Sequence, residues 1–329
     1  MSPSVGEGYW IRRLAGAAAI MLAVLALNFL LFRIMPGDPV SSIVDPGFSP
    51  EAKDKLKELY GLDRPLWSQF LTYAKRTLTL DFGISFISRK PVWGEIASRL
   101  PNTIALMGIA VLGSAASGIW LGVKAATRKG RWTEKLVLWG SALSFSFPSF
   151  FVQMVLLMAL AYGLPLFPLR GSVSVPPPTE PLQILIDYLW HLVLPAGSLI
   201  LLGFGGWALY ARNLMVRVLE EDFILMAKAR GLSEKRIIWR HAFRSILPPI
   251  LTTLLMSMPS LVSGAVITEA VFSLHGIGAF LLQSVIGHDY PSAGAAFYLL
   301  SLITVGSNLL ADAAYELVDP RVRLGRTIK

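Results

Sequence analysis

Six stretches of this chain run without a single Asp, Glu, Lys or Arg: residues 14–32, 102–123, 136–169, 188–211, 245–268 and 290–311. Each reaches the roughly 20 residues that an α-helix needs to cross the hydrocarbon core of a bilayer. A backbone in lipid must satisfy its own polar groups, so apolar spans of this kind are helical. Composition agrees, because 54% of the residues are hydrophobic and only 16% charged, where a soluble domain carries about 25%. The expectation is an all-α integral membrane protein with six transmembrane helices.

The third run is too long for one crossing. Pro165, Pro168 and Pro176-Pro177-Pro178 place its helix end near Tyr162, with a loop beyond. The first run follows Arg12 and Arg13 as a secretory leader would, but it exceeds a leader's apolar core and no small-x-small site follows Phe32. It reads as a span. The chain has no cysteine, which removes disulfides, thiolate catalysis and Cys-type zinc sites. His191, His241, His275 and His288 are scattered, without an HExxH pair, and no phosphate-binding G-x-x-x-x-G-K-[ST] loop occurs. Neither a metal site nor ATP binding is expected on this chain.

Short-loop Lys and Arg set the orientation. Residues 127–135 carry Arg128, Lys129, Arg131 and Lys135, residues 212–247 carry eight more, and Arg321, Arg323, Arg326 and Lys329 close the chain. The 164–187 loop has only Arg170, and residues 273–289 have neither Lys nor Arg. The basic loops and both termini are therefore expected in the cytoplasm. The chain divides into a terminus with the first span (1–35), an extracytoplasmic cap segment (36–100) and a core membrane region (101–329) holding the long loop 212–247. Within the cap, Ser49-Pro50 starts one expected helix that Gly61 closes, and a second runs from Pro65 to about Thr77.

The 212–247 loop is the most informative segment. Residues 222–230 favour helix, Gly231 suits a left-handed break, and Ser233 suits the N-cap of a second helix running to about Ser245. On that second helix Ile238, Trp239, Ala242, Phe243 and Ile246 recur on one face, while Arg236, Arg240 and Arg244 form an i, i+4, i+8 ridge that also carries His241 nearby. Like charges so spaced repel, so the ridge calls for lipid phosphates or acidic side chains. Nucleic acid is not expected there, since Trp239 and Phe243 fall on the apolar face rather than on a stacking surface.

Residues 225–231, L-M-A-K-A-R-G, resemble the E-A-A-x-x-x-G loop of ATP-binding-cassette (ABC) importer permeases. Leu225 and Met226 replace the leading E-A, Ala227 and Gly231 match, and Leu247-Pro248 stands displaced from the motif's later I-x-L-P. The departures fit the dipeptide, oligopeptide and nickel branch. FRIMPGDP at 32–39, YGLDRPLWSQF at 60–70, DFGISF at 81–86, RLPNT at 99–103, SFPSF at 146–150, EAVFSLHGIG at 269–278, HDYP at 288–291 and LVDPRVR at 317–323 are similar to the same branch. The resemblance implies a type I ABC importer permease in a prokaryotic plasma membrane, moving a small solute, most directly a di- or oligopeptide. It further implies a second homologous permease subunit, two ATPase subunits that bind ATP and Mg, and an extracytoplasmic solute-binding protein. The coupling residues would be Met226, Ala227, Lys228, Ala229, Arg230, Gly231 and Leu232, and the outer gate would lie near Glu269, Gly276 and Gly278.

Other features have plainer readings. Pro36-Gly37-Asp38-Pro39 is a helix stop. Glu269 and Asp312, each near a span end, read as structural hydrogen-bonding carboxylates. Ser117, in the small-residue run Gly113–Gly118, is where an intramembrane protease would place a nucleophile; that run, with Gly203, Gly205 and Gly206, reads instead as a helix-packing seam. The alternative from another class is an ATP-independent channel or carrier whose basic loop binds lipid. In a chain without native cysteine, Lys129→Cys is expected to resist a membrane-impermeant thiol reagent added outside and to react once the inner face is opened; labelling from outside would invert the topology.

Overall fold

The computed structural model describes residues 5–34, 65–257 and 265–318. Among them are twelve helices and a single isolated β-bridge. The first cap helix expected at 49–61 lies outside the described residues. The second is present as α2, Leu66–Leu78, after α1, Val5–Ile34.

Two helices outrun the membrane. The 35-residue α3, Val92–Ala126, and the 39-residue α6, Pro181–Leu219, are about 52 and 58 Å long at 1.5 Å per residue, against a hydrocarbon core of about 30 Å. Both therefore carry their ends into water, and α6 begins about two turns before the run that predicts it. The third apolar run is not one straight crossing. α4, Trp132–Ser146, and α5, Ser149–Leu156, with its π-helical continuation Leu157–Gly163, meet at a 103° bend. Pro148 causes it: the preceding Phe147 is forced out of the helical region to φ −116, ψ 143. The helix does end near Tyr162 as expected, but the absence of charge across 136–169 concealed the break.

The remaining elements are α7, Asp222–Ala229; α8, Glu234–Arg236; α9, Phe243–Ser257; α10, Ala265–Val271; α11, Ile277–Ile286; and α12, Tyr290–Val318. Among the described residues four helices are long and apolar enough to cross a membrane, or five if the bent pair is one span. The expected fifth run is divided between α9 and α10, and its middle lies outside the described residues.

Two compact units are present. In the first, built from residues up to Thr103 and from His275 to Leu309, buried Asn28 on α1 donates through Nδ2 to Tyr73 Oη on α2 and to Gly294 O on α12, each at 2.9 Å. Burial pushes the Tyr73 phenol up to about 12. Asp289 precedes α12 and accepts from Ser292 Oγ at 2.8 Å, while holding the 81–86 segment through Ser85 Oγ at 2.5 Å and Phe86 N at 3.0 Å. One carboxylate thus caps a helix and anchors a loop.

The second unit, built chiefly from Ile104 to Leu274, is organised by glycine contacts between α3, α4 and α6. A Cβ on Gly118 would strike Phe204 O and lie 2.5 Å from Trp207 Cβ; one on Gly122 would strike Ala208 O; one on Gly205 would press on Ser144 Oγ and sit 2.8 Å from Ser141 O. The small-residue run is a packing seam, as its composition suggests. Ser117 Oγ donates back to Gly113 O at 2.6 Å, and His191 Nδ1 meets Asp187 O at 2.8 Å, so the hydroxyl and the imidazole are each engaged on their own helix. The protease reading has no catalytic pair behind it.

The seam gives a paired prediction. Gly108 has open space around its Cβ position, so Gly108→Ala is expected to leave the melting temperature in detergent unchanged or slightly higher, from gained helix propensity. Gly118→Ala must part α3 from α6, and is expected to lower both the melting temperature and the yield of inserted protein.

Candidate coupling site

The chain leaves α6 through Glu220 and Glu221, whose amides bond to Arg217 O and Val218 O. Glu221 then starts α7 from an extended conformation, with Asp222 in the first turn and Lys228 in the last, both matching the helix dipole. The end of α7 is a Schellman motif. Gly231 adopts φ +74, its amide bonds to Lys228 O at 2.9 Å, and the Leu232 amide bonds to Ala227 O at 3.3 Å. Leu232 packs with Ile224 and Ala227 beneath, the apolar contact that accompanies this stop. The left-handed break expected at Gly231 is therefore present.

Ser233 occupies the N-cap position at φ −64, ψ 144, without a side-chain capping bond; the Arg236 and Ile237 amides bond to its carbonyl instead. The second helix does not stop near Ser245. It passes from α8 through a π-helical turn, Ile237–Ala242, straight into α9. That turn changes the inward face: the buried positions are Ile237, Ala242, Ile246 and Ile250, spaced by five, four and four. A uniform 3.6-residue period puts Trp239 on the apolar face, but the wider turn leaves it exposed against Phe243, with ring centroids 5.3 Å apart. Arg236, Arg240 and Arg244 are exposed and His241 is half-buried.

Ile224, Ala227, Ile237, Ala242 and Ile246 share one core with Val123 and Ala126 of α3 and with Ala211 and Met215 of α6. The loop is thus a rigid extension of these two helices. Ala227 is only 6% exposed and belongs to this chain's own interior. Turned outward are Phe223, Leu225 (67% exposed) and Met226 (57%), with Lys228, Ala229 and Arg230 beside them. Leu225 and Met226 stand on the outward side of this short helix, about 100° apart, with Phe223 at its flank.

Sequence reasoning missed the ion pair beneath. Arg212 of α6 donates to Glu134 Oε1 of α4 from Nε at 3.1 Å and Nη2 at 2.5 Å, and the Gly130 amide reaches Glu134 Oε2 at 2.6 Å. An exposed pair, Lys129 to Glu220 at 3.0 Å, spans from the same 127–135 loop to the start of the coupling segment. The first is partly buried and contributes rigidity; the second is worth about 1 kcal/mol or less. Residues 78 apart in sequence leave no periodic trace of such a pair.

The residues expected at an outer gate fall in separate settings. Glu269 is buried on α10 next to Thr268, which accepts from Gln153 Nε2 of α5 at 2.8 Å. The turn after α10 takes its positive φ at Ser273, +51, and not at a glycine. Gly276 is the N-cap of α11 at φ −116, and Gly278 is buried in its first turn. His275, just before, accepts from Asn102 Nδ2 at its carbonyl (2.6 Å), and its ring lies 3.4 Å from Ser98 Oγ. Burial first, and the Arg99 guanidinium second, hold this imidazole below its usual range. Among the described residues no group of three His, Cys, Asp or Glu side chains is placed to hold a metal ion.

Long apolar helices and a helical loop rooted in their ends define a multi-span membrane permease. The chain matches the family described as binding-protein-dependent transport system inner membrane component over residues 118–324, and the N-terminal region of that family over residues 8–107. It belongs to this family. It is similar to the oligopeptide transport system permease protein AppB of Bacillus subtilis, 31% identical over 95% of this chain and 98% of the relative. It is also similar to the dipeptide transport system permease protein DppB of Escherichia coli, 33% identical with the same coverage.

Three substitutions probe the loop's fold. Gly231→Val forces a β-branched residue into the left-handed region at a cost of about 1–2 kcal/mol, whereas Gly231→Asn tolerates it. Ala227→Asp places a charge in the chain's own core, and is expected to lower the melting temperature of the isolated subunit with no partner present. An unchanged melting temperature would place Ala227 on the surface.

Proposed function

We propose that this chain is one permease subunit of an ATP-driven peptide importer, lining half of a path that opens alternately to the two sides of the membrane. It works with a second, homologous permease subunit, two ATPase subunits that bind ATP and Mg, and an extracytoplasmic solute-binding protein. The basic loops and both termini face the cytoplasm, in keeping with the Lys and Arg of 127–135 and 212–247. Supporting the peptide substrate are the printed functions of the relatives and a span composition poor in charged side chains, which leaves selectivity to the binding protein.

The observation that carries the reading is the outward face of α7. Met226 to Leu232 form the joint, and Phe223, Leu225 and Met226 provide the apolar contact for an ATPase surface, with Lys228 and Arg230 at its edge. Closure of the ATPase pair on ATP favours one permease state by differential affinity. Because α7 shares its core with α3 and α6, force on this short helix moves both long helices without an intervening flexible segment. Arg236, Arg240, His241 and Arg244 flank the contact and meet acidic side chains or lipid phosphates. Glu269, Gly276 and Gly278 belong to the outer end of the path.

Met226→Asp tests this directly, since an exposed side chain can be replaced without disturbing the subunit's own fold. Weakening a central contact by about 1.4 kcal/mol is tenfold in affinity, and central apolar contacts exceed that. The variant is expected to insert normally, to lose ATPase subunits on purification, and to lose peptide-stimulated ATP hydrolysis in proteoliposomes. Retention of both, with transport indifferent to ATP, would replace this reading by an ATP-independent carrier with a lipid-binding loop.

A further inference from the structure

We propose that α2 is an interfacial membrane anchor: Trp67 and Leu71 sit in the headgroup layer of the bilayer, beside the C-terminal end of α1. The depth of the helix follows from its contacts. The charge-free run of α1 ends at Phe32, before Arg33, so Phe29 lies about 4 to 5 Å below that end at about 1.5 Å per residue. Phe29 holds Phe70 and Tyr73, with ring centroids at 5.5 and 5.8 Å, and the adjacent Asn28 bonds to Tyr73 Oη. The Trp67 ring is 5.9 Å from Phe70. This part of α2 is therefore fixed at the level where hydrocarbon gives way to headgroups.

The pattern around the helix agrees with that level. Phe70, Tyr73, Ala74 and Thr77 make the inward face, at i, i+3, i+4 and i+7. At about 100° per residue, Trp67, Leu71 and Leu78 fall within roughly 40° of one another on the flank beside it. They are exposed by 68%, 50% and 62%. Lys75 follows about 40° further round and is exposed, where its ammonium meets phosphate as its stem covers apolar surface. Arg76, on the opposite flank, is paired with Asp81 at 3.4 Å. A tryptophan beside aliphatic side chains, with a lysine at the far edge of the same flank, is the set of side chains that a bilayer interface selects.

Lipid is the occupant because the flank lies level with the end of a charge-free span, where an exposed apolar face with a tryptophan meets the bilayer interface. An anchor there fixes the height of α2, and with it of α1 and α12, through the hydrogen bonds of Asn28.

The chain's lack of cysteine allows a direct test in the assembled complex in phosphatidylcholine nanodiscs. Trp67→Cys, Leu71→Cys and Thr72→Cys would each carry an environment-sensitive fluorophore, quenched either by shallow doxyl-labelled lipid or by aqueous iodide. Loss of fluorescence on doxyl lipid at 67 and 71, with iodide quenching confined to 72, is the expected result. Equal iodide quenching at all three positions without a lipid effect would overturn the proposal. So would shielding of 67 and 71 that arises only when the solute-binding protein is added, since a protein would then be the occupant. Neither outcome bears on the coupling face, which Met226→Asp tests separately.

Discussion

Backbone contact between α3 and α6 is the constraint on which the second unit rests. Lipid offers no hydrophobic drive to bring helices together, so association depends on close van der Waals packing. Gly118 and Gly122 allow it by leaving no Cβ where the α6 backbone must pass. Once α3 and α6 are fixed, their ends form a single platform, and Val123, Ala126, Ala211 and Met215 receive the coupling segment there. Without the seam, that segment would have nothing to lie on.

The loop is ordered by its packing on this platform. A helix of eight residues, Asp222–Ala229, is marginal alone, and its order comes from Ile224 and Ala227 beneath it and from the Schellman stop at Gly231 above. The π-helical turn at Ile237–Ala242 then carries the chain into α9 without a break. A π-turn inserts one residue into helical phase, and here it keeps Ile237, Ala242, Ile246 and Ile250 inward. What remains outward on α7 is apolar and short. Stiffness beneath and an apolar surface above are the two properties a force-transmitting contact needs.

The first unit uses polar contacts for comparable ends. Asn28 ties α1 to α2 and α12 with two hydrogen bonds from one amide nitrogen, and Asp289 joins a loop to a helix start through several. Such bonds hold register where apolar packing alone would slide, because a buried amide or carboxylate is costly unless its partners are met. α2 is accordingly held to α1 and α12, with an exposed apolar flank beside its inward face.

Sequence alone determined that this is a helical membrane protein, because charge-free runs of bilayer length admit no other backbone in lipid. It also located the left-handed stop at Gly231, which depends on local backbone sterics, and the packing seam, which depends on side-chain size. Only the tertiary structure decided the rest. The bend at Pro148 hid inside a run whose apolarity is blind to direction, and the inward face of the second loop helix was misread because a π-turn alters the period that the reading assumes. That Ala227 lies in the chain's own core while Leu225 and Met226 face out depends on α3 and α6 lying beneath α7. The Glu134–Arg212 pair depends on the same approach of distant segments. Contacts of this kind are set by which surfaces meet, and a linear pattern records only which surfaces exist.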